Sequence, residues 1–153
     1  MVRSWAELYG GYGQDPRAVL KEFEVAGCDE MVICRGIRVY STCEHHVLPF
    51  FGQATVGYIP NGGKVAGASK LARVVDIFAR RLQVQERLTN EVADTLWEAL
   101  KPLGVGVHIK AQHLCMTSRG VRRDEATMVT TALRGAILEK PEARAEFLAE
   151  CRR

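Results

Sequence analysis

Between Ser41 and Phe50 the chain reads STCEHHVLPF, which puts Cys43, His45 and His46 within four residues. Thiolate sulfur and imidazole nitrogen are the donors that zinc prefers. A structural zinc site closes with four protein ligands, whereas a catalytic one uses three and keeps a position for water. Cys43 and His46 form a C-x-x-H pair, a spacing that lets both side chains reach one ion from a turn. A second pair, His113 and Cys115, falls in a stretch that reads as a strand, where residues i and i+2 project from the same face. The two pairs leave five candidate ligands: Cys43, His45, His46, His113 and Cys115. An open three-ligand site with free histidines and a closed four-ligand site both satisfy this spacing. His108 lies at an odd offset from His113 and is expected on the opposite strand face as a structural histidine. Cys28, Cys34 and Cys151 have no ligand-type neighbours and read as ordinary thiols, since free cysteine behaves as a small hydrophobe.

Anion-binding chemistry has a narrower footing. Lys70 and Arg73 stand at i and i+3, on one face of an expected helix and near its N-terminus. The unpaired N–H groups and the dipole of such a terminus favour an anion. Arg119 adds a third cation just beyond Cys115. The same residues equally describe a solvated helix face. Glu86 fits the start of the next helix, where the dipole favours an acid. Arg122 and Arg123 extend the basic loop SRGVRRDE as surface charges.

The elements that must position these groups follow from periodicity and punctuation. Asp15-Pro16 is a helix-start signal, so PRAVLKEFE is expected to be helical up to Gly27. MVICRGIRVYST (31–42) and FFGQATVGYIP (50–60) read as strands, the first with a bulge at Gly36, the second closed by the turn at Pro60-Asn61-Gly62-Gly63. Apolar residues recur at helical spacing through 69–83, with Ser69 as expected N-cap, and again through 85–101. Strands over 105–117 and 126–135 and a terminal helix from Pro141 complete the chain. The order ββ-αα-ββ-α implies an α+β fold with a four-stranded antiparallel sheet and its helices on one face. The uncovered face would favour self-association.

Composition sets the limits. At 153 residues the chain is expected to form one domain, residues 1–153, with 1–27 a short N-terminal helical segment. A net charge of +3 is too slight to call for nucleic acid or a membrane surface. No apolar run approaches the ~20 residues of a membrane-spanning helix. The start, MVRSWAELYGGYG, lacks the apolar centre of a signal peptide, so the expected location is the cytoplasm. Five cysteines, an odd number without scaffold spacing, point to metal binding or burial rather than disulfides.

Several blocks together carry a family resemblance: CDEMVI (28–33), YSTCEHHVLPFFG (40–52), GYIPNGGKVAGASKLAR (57–73), RRLQVQERLT (80–89) and GVGVHIKAQHLCMTSRGVR (104–122). In that order, across nearly the whole chain, they resemble GTP cyclohydrolase I, a tunnelling-fold family. The resemblance implies a zinc enzyme that opens the imidazole ring of GTP, releases C8 as formate and forms 7,8-dihydroneopterin triphosphate in pterin biosynthesis. It implies Cys43, His46 and Cys115 as Zn2+ ligands, with water as the fourth, and His45 and His113 as acid/base groups. It assigns the triphosphate to Lys70, Arg73 and Arg119 with Ser69 beside them, and guanine recognition to Gln85 and Glu86. It also implies a homo-oligomer, a decamer of two pentameric rings with active sites at subunit interfaces.

One departure stands out. The N-terminal helical region usual in the family is reduced to MVRSWAELYG, which bears on assembly rather than on the carried-over site residues. Two alternatives remain at this point: another tunnelling-fold enzyme of pterin or deazaguanine metabolism, or a non-catalytic zinc-binding homologue. The second would be expected to lack His45 or His113, and both are present.

Overall fold

The computed structural model describes residues 2–152. Along them run α1 (Val2–Leu8), a 3-10 turn (Gly10–Gly13), β1 (Glu22–Glu24), β2 (Val32–Cys43), β3 (Pro49–Ile59), β4 (Lys64–Ala66) and α2 (Ala68–Ala79). Then follow β5 (Leu82–Gln83), α3 (Gln85–Leu100), β6 (Gly104–His113), α4 (Leu114–Thr117), β7 (Met128–Gly135), α5 (Ala136–Glu139) and α6 (Pro141–Cys151).

The main sheet has the order β5-β2-β3-β6-β7. Its four long strands pair antiparallel as expected, while β5 adds a short parallel edge beside β2, at Thr42–Leu82 and Cys43–Gln83. A separate two-stranded ribbon joins β1 to β4. The fold is α+β with this mixed sheet. The bulge falls where it was expected, since the β2–β3 register shifts between Cys34 and Ile37 and Gly36 takes a φ of 68° that other residues rarely adopt.

Strand alternation sorts the two faces. Phe50, Ala54, Val56 and Tyr58 of β3 and Val105, Val107, Ile109 and Ala111 of β6 share one face and are fully buried. They meet Leu71, Val74, Val75 and Phe78 of α2 and Leu88, Val92 and Leu96 of α3 in a single core. Each large side chain buried there contributes about 1.5–3 kcal/mol. The buried Tyr58 hydroxyl accepts from the Ala66 N–H at 2.8 Å, which satisfies its polar end.

Four expectations need correction. Helices do not lie on one face only: Phe147 of α6 packs across the opposite face, over Gly57 and Gly106. A Cβ at either glycine would come within 2.9 Å of that ring, so the two bare backbones make room for it. The far end of this face stays open, with Tyr40 64% exposed and stacked on Phe51.

The segment after Pro16 is not a helix to Gly27. Asp15 does accept from the Arg17 N–H at 2.9 Å, and Leu20 N–H reaches Arg17 O at 3.1 Å, but the chain then extends into β1. A helix this short is marginal on its own, and pairing Phe23 with Val65 satisfies the backbone instead. Among the described residues, the N-terminal segment is therefore helical only at α1 and the 3-10 turn that follows it.

Ser69 is not the N-cap of α2. Gly67 holds that position, without a side-chain cap, because the turn out of β4 is completed there by the Lys70 N–H to Gly67 O bond at 2.7 Å.

Nor does the third long strand reach Thr117. Its last partner on β3 is Phe50, next to Pro49, and its last partner on β7 is Met128 opposite Ala111. Beyond His113 neither neighbour offers a ladder, and the backbone closes into α4, with Ser118 N–H on Leu114 O at 2.9 Å.

Candidate metal centre and its histidines

Cys43 is the last residue of β2 and continues the inward alternation of Ile37, Val39 and Ser41. The chain then turns sharply. Val47 N–H donates to Cys43 O at 2.8 Å, and Cys43 N–H to Leu48 O at 2.8 Å. This closure holds Val47 at a φ of 53°, an unusual conformation for a β-branched residue. The turn brings His46 Nδ1 to 3.5 Å from Cys43 Sγ.

Cys115 arrives from α4. The donor atoms of Cys43, His46 and Cys115 all lie within 4.8 Å of one another. Sequence reasoning placed Cys115 beside His113 on a strand. The helical turn instead separates them, so that His113 stays on the sheet face and Cys115 swings to Cys43.

The donor set fits zinc. With Zn–S near about 2.3 Å and Zn–N near about 2.0–2.1 Å, a tetrahedral ion would span its sulfur and nitrogen by about 3.5 Å, the separation seen between Cys43 and His46. Burial, and then the neighbouring Cys43 thiol, push the Cys115 thiol above its ordinary value. Cys43 and Cys115, with their sulfurs within 4.8 Å of each other, are a pair that a divalent cation would hold together as thiolates.

Two histidines stand outside the set in different ways. His45 is solvent-exposed, with Nε2 3.9 Å from the Glu44 carboxylate and its ring edge-on to His46. His113 is 93% buried, stacked on Phe50 at 4.5 Å with the rings 6° from parallel. Its Nε2 lies 2.8 Å from Gln85 Oε1. Burial lowers the His113 pKa from its ordinary value, opposed in part by the Glu86 carboxylate.

Gln85 is 1% exposed and its side chain turns inward at the start of α3, while Glu86 faces solvent one residue later. Ser69 and Arg73 are exposed and Lys70 is half-buried in the first turns of α2, and Arg119 is exposed just after α4. Among the described residues no hydrogen bond or ion pair connects Lys70 or Arg73 to the Cys/His cluster. His108 faces away from it, bonded to Thr131 Oγ1 at 2.9 Å, and burial lowers its pKa.

One part of the site went unread in the sequence. Arg87 pairs with the Glu44 carboxylate and also donates to Gln83 Oε1 and Leu82 O, both at 3.0 Å. Gln83 in turn donates to Glu91 at 2.8 Å and to Phe78 O at 3.1 Å. The Glu44 N–H closes the loop on Gln83 O at 3.0 Å. This network clamps the Cys43–His46 turn to α3, and the hydrogen bond from Arg87 holds Glu44 below the usual carboxylate range. The available signal was an acid between Cys43 and His45 and a base directly after Glu86, far apart in sequence.

The comparisons identify first a fold and then a family. The apo form of archaeosine synthase QueF-Like matches with a TM-score of 0.55 at 21% identity, over 69% of this chain and 93% of that one. At that identity the likeness speaks for the fold alone. The sequence matches are closer. The family profile described as GTP cyclohydrolase I matches residues 1–152. A GTP cyclohydrolase 1 of Wolinella succinogenes is 52% identical over 153 residues, covering 99% of this chain and 81% of that protein. One from Thermobifida fusca is 55% identical over 149 residues, covering 97% and 72%. The chain belongs to the GTP cyclohydrolase I family, a family of hydrolases. No helix of the described residues is long and apolar enough to cross a membrane.

Proposed function

We propose that this chain is a zinc-dependent enzyme that opens the guanine imidazole ring of GTP, releasing C8 as formate and forming 7,8-dihydroneopterin triphosphate. The observation that carries this reading is the three-donor set of Cys43, His46 and Cys115, with His45 and His113 beside it and outside it. When bound there, zinc supplies a Lewis acid and an activated water.

The chain's own groups supply the rest. His113, fixed in plane by Phe50 and in direction by Gln85, gives a proton to the guanine ring nitrogen, which makes C8 electrophilic. His45, free in solvent on the same turn as His46, moves a second proton on the ribose side. The Glu86 carboxylate accepts from the guanine N1–H and exocyclic amine. Lys70, Arg73 and Arg119 bind the triphosphate with Ser69, at the α2 N-terminus, where no side chain caps the first-turn N–H groups.

The same reading includes a homo-oligomer of two pentameric rings, with each site completed between subunits. Two features support it: within one chain Lys70 and Arg73 stand unconnected to the metal cluster, and the Tyr40–Phe51 end of the sheet is open. Purified zinc-loaded protein incubated with GTP should yield fluorescent neopterin after oxidation and dephosphorylation. Absence of product from assembled protein of full zinc content would overturn the proposal.

A further inference from the structure

The Gln85 amide has only one way round. Ile109 O and Met128 O can only accept, and both approach the same Gln85 side-chain atom, at 3.1 and 3.2 Å. That atom is therefore the NH2 group. A hydroxyl relay gives the same answer independently. Thr89 Oγ1 lies 2.7 Å from the Gln85 main-chain carbonyl, an acceptor, so its one proton is used there. The Thr89–Thr130 contact at 2.6 Å must then use the Thr130 proton. Thr130 Oγ1 has only lone pairs left for the Gln85 atom 3.0 Å away, which again must be the donor. The other amide atom is the oxygen, and it faces His113 Nε2 at 2.8 Å. An amide oxygen only accepts, so Nε2 carries the hydrogen.

We propose that Gln85 is a positioning residue for His113: it keeps a hydrogen on Nε2 and leaves Nδ1 as the nitrogen that takes up a proton and passes it to the substrate. This deepens the proposed function, since it rests on His113 being an acid/base group, and it replaces direct guanine contact as the role of Gln85. Several observations converge on it. Gln85 is 1% exposed, which leaves its amide no surface to offer a base. Both amide N–H groups are taken by Ile109, Met128 and Thr130. His113 Nδ1 has no hydrogen-bond partner among the described residues. Phe50 fixes the plane of the ring while Gln85 fixes its direction within that plane, so the two together define where Nδ1 points. Thr89 and Thr130 are part of the device, because they decide which end of the amide meets the histidine.

The test compares kinetics with a direct reading of the tautomer, both on zinc-loaded enzyme. Gln85→Leu should lower kcat by about 10- to 100-fold, a share of the 10²–10⁴ that a positioned acid/base group supplies, with KM for GTP and zinc content unchanged. A KM that rises at unchanged kcat would mean that Gln85 reads guanine, and would overturn the proposal. Because the leucine strips partners from two buried carbonyls, a second measurement needs no Gln85 variant. Selective 15N labelling of histidines in the wild type, with His113→Ala as the assignment control, should show Nε2 protonated whether or not Nδ1 also carries a proton. The opposite tautomer would overturn it. Full turnover by His113→Ala would also overturn it, and would locate the failure in the role of His113 rather than in the Gln85 contact.

Discussion

The two halves of the site are built differently. Around Cys43, Cys115 and His113 the chain is buried or half-buried, hydrogen-bonded and closed by a strained turn. Around Ser69, Lys70, Arg73 and Glu86 it presents groups at helix starts, mostly exposed and joined to the cluster by no hydrogen bond or ion pair among the described residues. The first half is assembled from residues of one chain. Groups of this kind lose little freedom when chemistry begins, which is the physical content of preorganisation. The second half is a set of charges awaiting an anion, and its ordering cost falls on binding.

That contrast can be broken in order of expected effect. Removing a donor should be worst: Cys115→Ser should release the metal and abolish turnover together, as read by metal analysis beside the GTP assay. His113→Ala should separate the two, keeping zinc but lowering kcat by about 10²–10⁴-fold; loss of zinc as well would mean that His113 is a ligand. In the second half, Lys70→Ala and Arg73→Ala should raise KM for GTP by about 10- to 100-fold each, the loss of roughly one charge-assisted contact of about 1.5–3 kcal/mol, with zinc content untouched. Arg87→Ala tests the clamp between the halves. Freeing Glu44 from α3 should weaken zinc affinity by about 10-fold, at the low end for an outer partner of a metal ligand, as measured by competition with a chelator.

How much of this the sequence disclosed depends on how local each signal is. The β2–β3 hairpin with its bulge at Gly36, and the cores of α2 and α3, were legible because alternation and helical spacing are written within the segment itself. The Cys43–His46 pair was legible for the same reason. What failed was decided by distant neighbours. PRAVLKEFE carries its own helix-start signal, yet β4 offers Phe23 a partner that nine residues of isolated helix cannot match. The strand through Cys115 ends early because β3 and β7 stop offering partners, a fact held elsewhere in the chain. The positions of His113 and Cys115 were thus brought together for a mistaken geometric reason. Gln85 shows the limit most plainly. Nothing local to QER says that Thr130, from another strand, turns the amide toward a histidine.

On the proposed reading, one chain's fold sets three donors where zinc would bind and leaves His113 outside. X-ray absorption at the zinc edge of the purified protein measures it most directly. We expect two sulfur scatterers at about 2.3 Å and two nitrogen or oxygen scatterers at about 2.0–2.1 Å, only one of them imidazole. A second imidazole, or a single sulfur, would contradict it.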